Sequence, residues 1–141
     1  MMRFDPRVRL PGFFTSLYSN AVWRFSETER VVYLTFDDGP IPEVTPWVLD
    51  LLQEENIRAT FFCVGENVMK YPEVYQQILN DGHSVGNLTY NHWQGLKKAN
   101  QEYFRNIEKA GKYIDSDLFR PPHGWLKLSQ YHYLKKRFRI V

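Results

Sequence analysis

The sequence predicts an α/β domain built on a parallel sheet, and three observations carry that reading. Apolar runs of strand length alternate with helix-spaced apolar stripes from residue 31 onwards. The strand runs lack polar alternation, as in strands buried on both faces of a parallel sheet. Clusters of chemistry-bearing residues each follow such a run, at the strand end where parallel α/β folds hold their sites.

The first 30 residues read as an extension. A start interrupted by Asp5, Pro6, Arg7, Arg9 and Pro11 gives way to Phe14, Leu17, Tyr18, Ala21, Val22 and Phe25 at helical spacing. That stripe predicts a short helix packed on the main body. Its polar face carries only Arg24 as a cation, whereas helices that lie on membranes are rich in Lys and Arg. A charged link, 26–30, leads to strand one at 31–36.

Asp37 and Asp38 close that strand, and Gly39-Pro40 turns the chain away. Adjacent residues at a strand end point in different directions, so one acid can bind a cation while the other accepts a proton. A solvated Asp-Asp-Gly turn explains the same residues. Thr45-Pro46 suits a helix start, with Val48, Leu49 and Leu52 as its buried stripe. Strand two is expected at 58–64. Val74, Tyr75, Ile78 and Leu79 form the next stripe, stopped by Asp81-Gly82. Strand three spans 83–89, and Tyr103, Phe104, Ile107, Ala110 and Ile114 face one way on a third helix. Strand four is 118–120. A last helix runs from Ser129 through Phe138, and 139–141 begins a fifth strand.

At 141 residues the chain is one domain by length, and 43% apolar residues suffice for a core. An eight-unit barrel typically needs about 250 residues. A net charge of +2 without a basic block speaks against nucleic acid. Cys63 is the only cysteine, which excludes an internal disulfide framework, and its mid-strand position reads as a buried structural thiol. No apolar run has the length of a membrane span, and no signal-peptide core precedes residue 12, so the expected location is cytoplasmic. Aromatic residues make up 16% of the chain, which suits either packing or a carbohydrate cleft.

Three motifs recur at strand ends: T-F-D-D-G-P (35–40), G-H-S-V-G-N-L-T-Y-N-H (82–92) and R-P-P-H-G (120–124). In this order and spacing they resemble the polysaccharide deacetylases, carbohydrate esterase family four, also called the NodB-homology domain. The resemblance covers residues 31–141. A phosphorelay receiver also has an acid pair after its first strand, but it needs another Asp after strand three, where this chain has Gly86-Asn87.

The resemblance implies a partial distorted (β/α) barrel of about five βα units and hydrolysis of N-acetyl or O-acetyl groups on an acetylated amino-sugar glycan. It implies a divalent metal, zinc first among candidates. Carried over by motif, Asp37 is the catalytic base, Arg120 orients it, and the loop around His123 lines the catalytic groove. Asp38 and His92 are metal ligands. Tyr90, Trp93, Pro122 and Trp125 are candidates for substrate contact.

The chain departs from the family pattern twice. Leu88 occupies the third ligand position, where the family has the first histidine of H-x-x-x-H, so weak metal binding is expected. His83 is a poor substitute, because residues 83 and 88 of an extended strand face opposite ways. The later family motifs, Asp-x-x-Asp-Trp and Leu-x-His, have no counterpart before Val141. The domain is therefore expected to be incomplete, with an unfinished sheet edge prone to self-association. The competing reading is a non-catalytic remnant or glycan-binding module.

Overall fold

A computed structural model describes residues 12–25, 28 and 30–141 of the chain. The expected start at 5–11 and the link residues 26, 27 and 29 lie outside the described residues. Five parallel strands form one sheet in sequential order: β1 (Thr35–Gly39), β2 (Thr60–Cys63), β3 (Ser84–Asn87), β4 (Leu118–Phe119) and β5 (Arg139–Ile140). Sequential order with helical crossovers is the arrangement of a (β/α) barrel wall. The result is the expected α/β partial barrel, open between β1 and β5.

The helices are α1 (Gly12–Leu17), α2 (Thr45–Glu54), α3 (Gly65–Lys70), α4 (Pro72–Asn80), α5 (Asn100–Ala110) and α6 (Leu128–Leu134). α2 and α4 each carry Pro in the first turn, where no amide donor is missed. α4 ends at Asn80, and Gly82 takes φ 77 beyond it, as the Asp81-Gly82 signal required. α3 was not anticipated: it starts directly at the end of β2, with Val64 still extended.

Three other expectations are corrected. The N-terminal helix stops at Leu17, and Ala21, Val22 and Phe25 lie outside it. That segment instead docks on the body through tertiary bonds: Tyr18 Oη donates to Leu126 O at 2.8 Å and Val22 N to Ile140 O at 2.7 Å. The first strand begins at Thr35 rather than residue 31, and Val32 is 83% exposed. β2 starts only at Thr60, so most of that run has no strand opposite. The last helix starts at Leu128 and stops at Leu134; Gln130 Oε1, rather than Ser129, satisfies its entry by accepting from Lys127 N at 3.0 Å.

Side chains alternate across the sheet. Phe61, Cys63 and Val85 face α2, α4 and the end of α5, joining Leu49, Ile78 and Ala110 in the larger core. Phe62, Val64 and Leu88 face the other way, into the concave side, with Leu118 and Val141 against them. Tyr103, Ile107, Phe119, Tyr131 and Ile140 fill a third cluster beneath α5 and α6, joined by Tyr18 and Ala21. Cys63 is fully buried, and burial pushes its thiol up to about 12, far from a reactive thiolate. Among the described residues, no helix is long and apolar enough to cross a membrane.

Candidate functional site

Parallel pairing places the ends of β1, β3 and β4 side by side, and the three motifs meet there. Register pairs Asn87 with Phe119, so Leu88 and Arg120 follow as neighbours at the top of adjacent strands. Thr35 and Asp37 lie on the concave side of β1, opposite in parity to Phe36, which packs into the larger core.

Arg120 crosses the concave space. Its Nη1 donates to Asp37 Oδ1 at 2.7 Å and to Thr35 Oγ1 at 3.0 Å. The guanidinium lies 4.0 Å above the ring of Phe62, a flat apolar support that keeps the fork level with the carboxylate. Among the described residues, the Asp37 carboxylate is bonded through Oδ1 alone.

Asp38 turns away from its neighbour because its backbone is left-handed, φ 71. Asn67, on α3, donates to Asp38 O at 2.8 Å and holds that turn. The carboxylate meets His92: Nε2 to Oδ1 is 3.1 Å, with both side chains partly open to solvent. Beyond His92 stands His123, the ring centroids 5.0 Å apart. Asp38, Thr89, His92 and His123 are four of the five described non-glycine residues with positive φ. Such conformations are costly, above all for β-branched Thr89, and persist only where neighbours enforce them.

Those neighbours are visible. Asn87 Oδ1 accepts from Thr89 N at 2.8 Å, and Asn87 Nδ2 donates to Ile107 O at 3.1 Å. Asn106, buried on α5, accepts from Tyr90 N and Asn91 N at 2.9 and 3.1 Å. Thr89 Oγ1 accepts from Trp93 N at 3.0 Å. The loop that presents His92 is thus pinned at nearly every residue. Sequence reasoning gave Thr35, Phe62, Asn67 and Asn106 no role, since each acts through a contact distant in sequence.

Glu66 sits on α3 near this loop. Hydrogen bonding and charge from Lys70 hold its carboxyl below the usual range, and Asn91 Nδ2 lies 3.4 Å from Oε2.

Not every candidate reaches the groove. Tyr90 is 5% exposed, packed on Tyr113 with Lys109 Nζ 3.6 Å above its ring, so it faces the helical layer. Trp93 packs against the cluster under α5 and α6, its ring covered by Lys98 Nζ at 3.8 Å. Pro122 is buried in the turn Pro122–Gly124. Trp125 is 56% exposed and remains open. Leu88 is 1% exposed, enclosed by Phe62, Val64, Leu118 and Val141. Position 88 therefore faces the site but offers it no donor. Asp38 and His92 suit a cation, whereas no ready group of three donors exists among the described residues.

The family profile described as Polysaccharide deacetylase matches residues 25–136. A peptidoglycan-N-acetylglucosamine deacetylase of Bacillus cereus is 41% identical over 118 residues, covering 78% of this chain and 42% of that protein. A chitooligosaccharide deacetylase of Azorhizobium caulinodans is 36% identical over 108 residues, covering 72% of this chain and 51% of the relative. Among solved structures, the Bc1960 peptidoglycan N-acetylglucosamine deacetylase, in complex with 4-naphthalen-1-yl-N-oxidanyl-benzamide, superposes with a TM-score of 0.80 at 36% identity. That alignment covers 82% of this chain and 57% of the solved one. The chain thus spans about half the length of the relatives it matches.

Proposed function

The chain belongs to the polysaccharide deacetylase family, and from that membership we propose that it carries the acid–base and cation-binding nucleus of a metal-dependent hydrolase acting on an acetylated amino-sugar glycan. The observation that carries the reading is the pair of pairs at the sheet's C-terminal end, Arg120 with Asp37 at 2.7 Å and His92 with Asp38 at 3.1 Å. Two adjacent carboxylates with different partners are what a split between proton transfer and cation binding requires.

In this reading Asp37 takes the proton from an attacking water. Arg120 fixes the carboxylate's orientation through its 2.7 Å bond to Oδ1. Asp38 and His92 hold the cation, with zinc the member of its class that best suits one carboxylate and one imidazole. When bound, such a cation supplies Lewis acidity at the acetyl carbonyl and acidifies the attacking water. Members of the family generally depend on a divalent metal. The turn with His123, and Trp125 beside it, would border the sugar.

Acetate release from an N-acetylglucosamine oligomer, measured with added zinc, tests the proposal. We expect a slow zinc-dependent rate that rises in Leu88→His. In that background Asp37→Asn should lower the rate by about 10²–10⁴-fold, the usual contribution of a general base. An undiminished rate in Asp37→Asn would overturn the assignment.

The burial of Leu88 in an apolar cluster favours a second reading, a groove that binds glycan without turnover. That reading requires oligosaccharide affinity without metal, weakened by Trp125→Ala.

A further inference from the structure

We infer that Asn67 is a positioning residue: it holds a bulge in β1 that brings the carboxylates of both Asp37 and Asp38 to the site. The inference rests on the reading of Asp38 and His92 as the cation-binding pair and deepens it.

The register of β1 against β2 is the first argument. Thr35 pairs with Thr60 and Phe36 with Phe61, but Cys63 pairs with Gly39. Asp37 and Asp38 therefore stand together opposite one residue, Phe62, as in a β-bulge. The backbone bonds show which group the extra residue displaces. Thr60 N donates to Leu34 O at 3.0 Å, and steps of two residues along each strand would bring Val64 N to the Asp38 carbonyl. Val64 N instead donates to Gly39 O at 2.9 Å. The Asp38 carbonyl thus loses that ladder donor, and Asn67 Nδ2 takes its place at 2.8 Å. In an unbroken strand Asp38 would share the parity of Phe36, which packs into the larger core. The bulge, with φ 71 at Asp38, sends its carboxylate to His92 instead.

The anchorage of Asn67 is the second argument. α3 follows β2 directly, and its first turn is bonded to the loop that carries His92. Gly65 N donates to Thr89 O and Glu66 N to Tyr90 O, both at 3.0 Å. One short helix therefore grips the Asp38 backbone through a side chain and the His92 loop through its amides. Through Asn67, the two members of the pair are set relative to each other.

Asn67→Ala removes the donor, and Asn67→Asp keeps its shape with a carboxylate that cannot donate. Asn67 is half-buried, so both variants of the full chain should fold. In NMR spectra the coupling between the Asp38 amide and α protons reads its φ, and amide exchange reads the fold. We expect that coupling to rise towards the extended-strand value in both variants, while β2 and β3 keep their protection. In acetate release from an N-acetylglucosamine oligomer with added zinc, kcat should fall about 10²-fold and KM change less than about twofold. An unchanged coupling at Asp38 would overturn the inference, as would a shifted coupling with an unaltered kcat. A general loss of protection would also overturn it, because Asn67 would then hold the fold rather than the bulge. A shifted coupling where the original chain releases no acetate supports the hold of Asn67 on the bulge and removes the reading of turnover.

Discussion

The two ends of strand β3 treat histidine in opposite ways. Before the strand, His83 is buried against the larger core, its ring 5.3 Å from Phe61 and its Nδ1 accepting from Ala59 N at 3.2 Å. After the strand, His92 is half-open and faces a carboxylate rather than an amide. The first histidine completes the backbone; the second has bonding capacity left for something outside the protein. Leu88 sits between them with the parity of the concave face. The difference teaches that position along the strand, and the face it selects, decides whether a donor belongs to the fold or to the site.

The largest expected effect comes from changing that middle position. Leu88→His puts an imidazole beside Arg120 at the top of the sheet, on the face that Asp37 shares. Zinc affinity should rise about 100-fold, roughly 2.7 kcal/mol. Without metal the new imidazole enters an apolar cluster and lowers stability by about 1–3 kcal/mol. Zinc at about 100 times its dissociation constant should return about 2.7 kcal/mol of stability. Thermal unfolding with and without zinc measures both, and a variant indifferent to zinc would place residue 88 outside the site.

A smaller effect comes from the concave face below it. A Cβ on Gly86 would lie 2.5 Å from the Phe62 ring, so Gly86→Ala forces that ring to move. Overpacking of this kind costs about 2 kcal/mol. Phe62 supports the Arg120 guanidinium, so the shift should also reach the Arg120–Asp37 pair. Denaturant unfolding gives the stability loss. Cys63 and His83, on the other face, should keep their protection from solvent.

Much of this was legible in the sequence because it depended on local rules. The order of strands and helices followed from period and punctuation, and Asp81-Gly82 marked the end of α4 correctly. Strand parity correctly separated His83 from position 88. Asp37, Asp38, His92 and Arg120 were brought together by strand-end motifs alone, and the structure gathers all four. What stayed hidden depended on partners distant in sequence. The apolar run at 31–34 looks like a buried strand, yet burial needs an opposing element that residue composition cannot supply. Tyr90 looks like a sugar platform, but Asn106, sixteen residues away, fixes its backbone while Lys109 and Tyr113 enclose its ring. The helical spacing of the N-terminal stripe was real, but Tyr18 and Val22 found better bonds to Leu126 and Ile140 than to their own turn.

The smallest effect belongs to the lower histidine. Burial holds the His83 imidazole below its ordinary pKa; the positive charge of Arg58 adds to this, and the negative charge of Asp81 partly offsets it. The ordinary value, about 6.5, describes the unfolded chain. Between the folded and unfolded values, the unfolded state binds more protons, so stability rises with pH across that window. The contribution is fully present above about pH 6.5 and is lost as pH falls below it, by a fraction of the about 1.4 kcal/mol per pH unit that one proton can supply. Protonation would also turn the Nδ1 acceptor into a donor facing Ala59 N–H, which ties the loss to a specific bond. His83→Asn keeps a side-chain acceptor near that amide without a titrating ring. Its stability should therefore change less between pH 7 and 5 than that of the original chain, in urea melts at matched ionic strength. Zinc affinity at pH 7 should be unchanged, because His83 lies at the far end of the strand on the opposite face. If His83→Asn weakened zinc binding while leaving the pH profile intact, the division of β3 into a structural end and a functional end would be wrong.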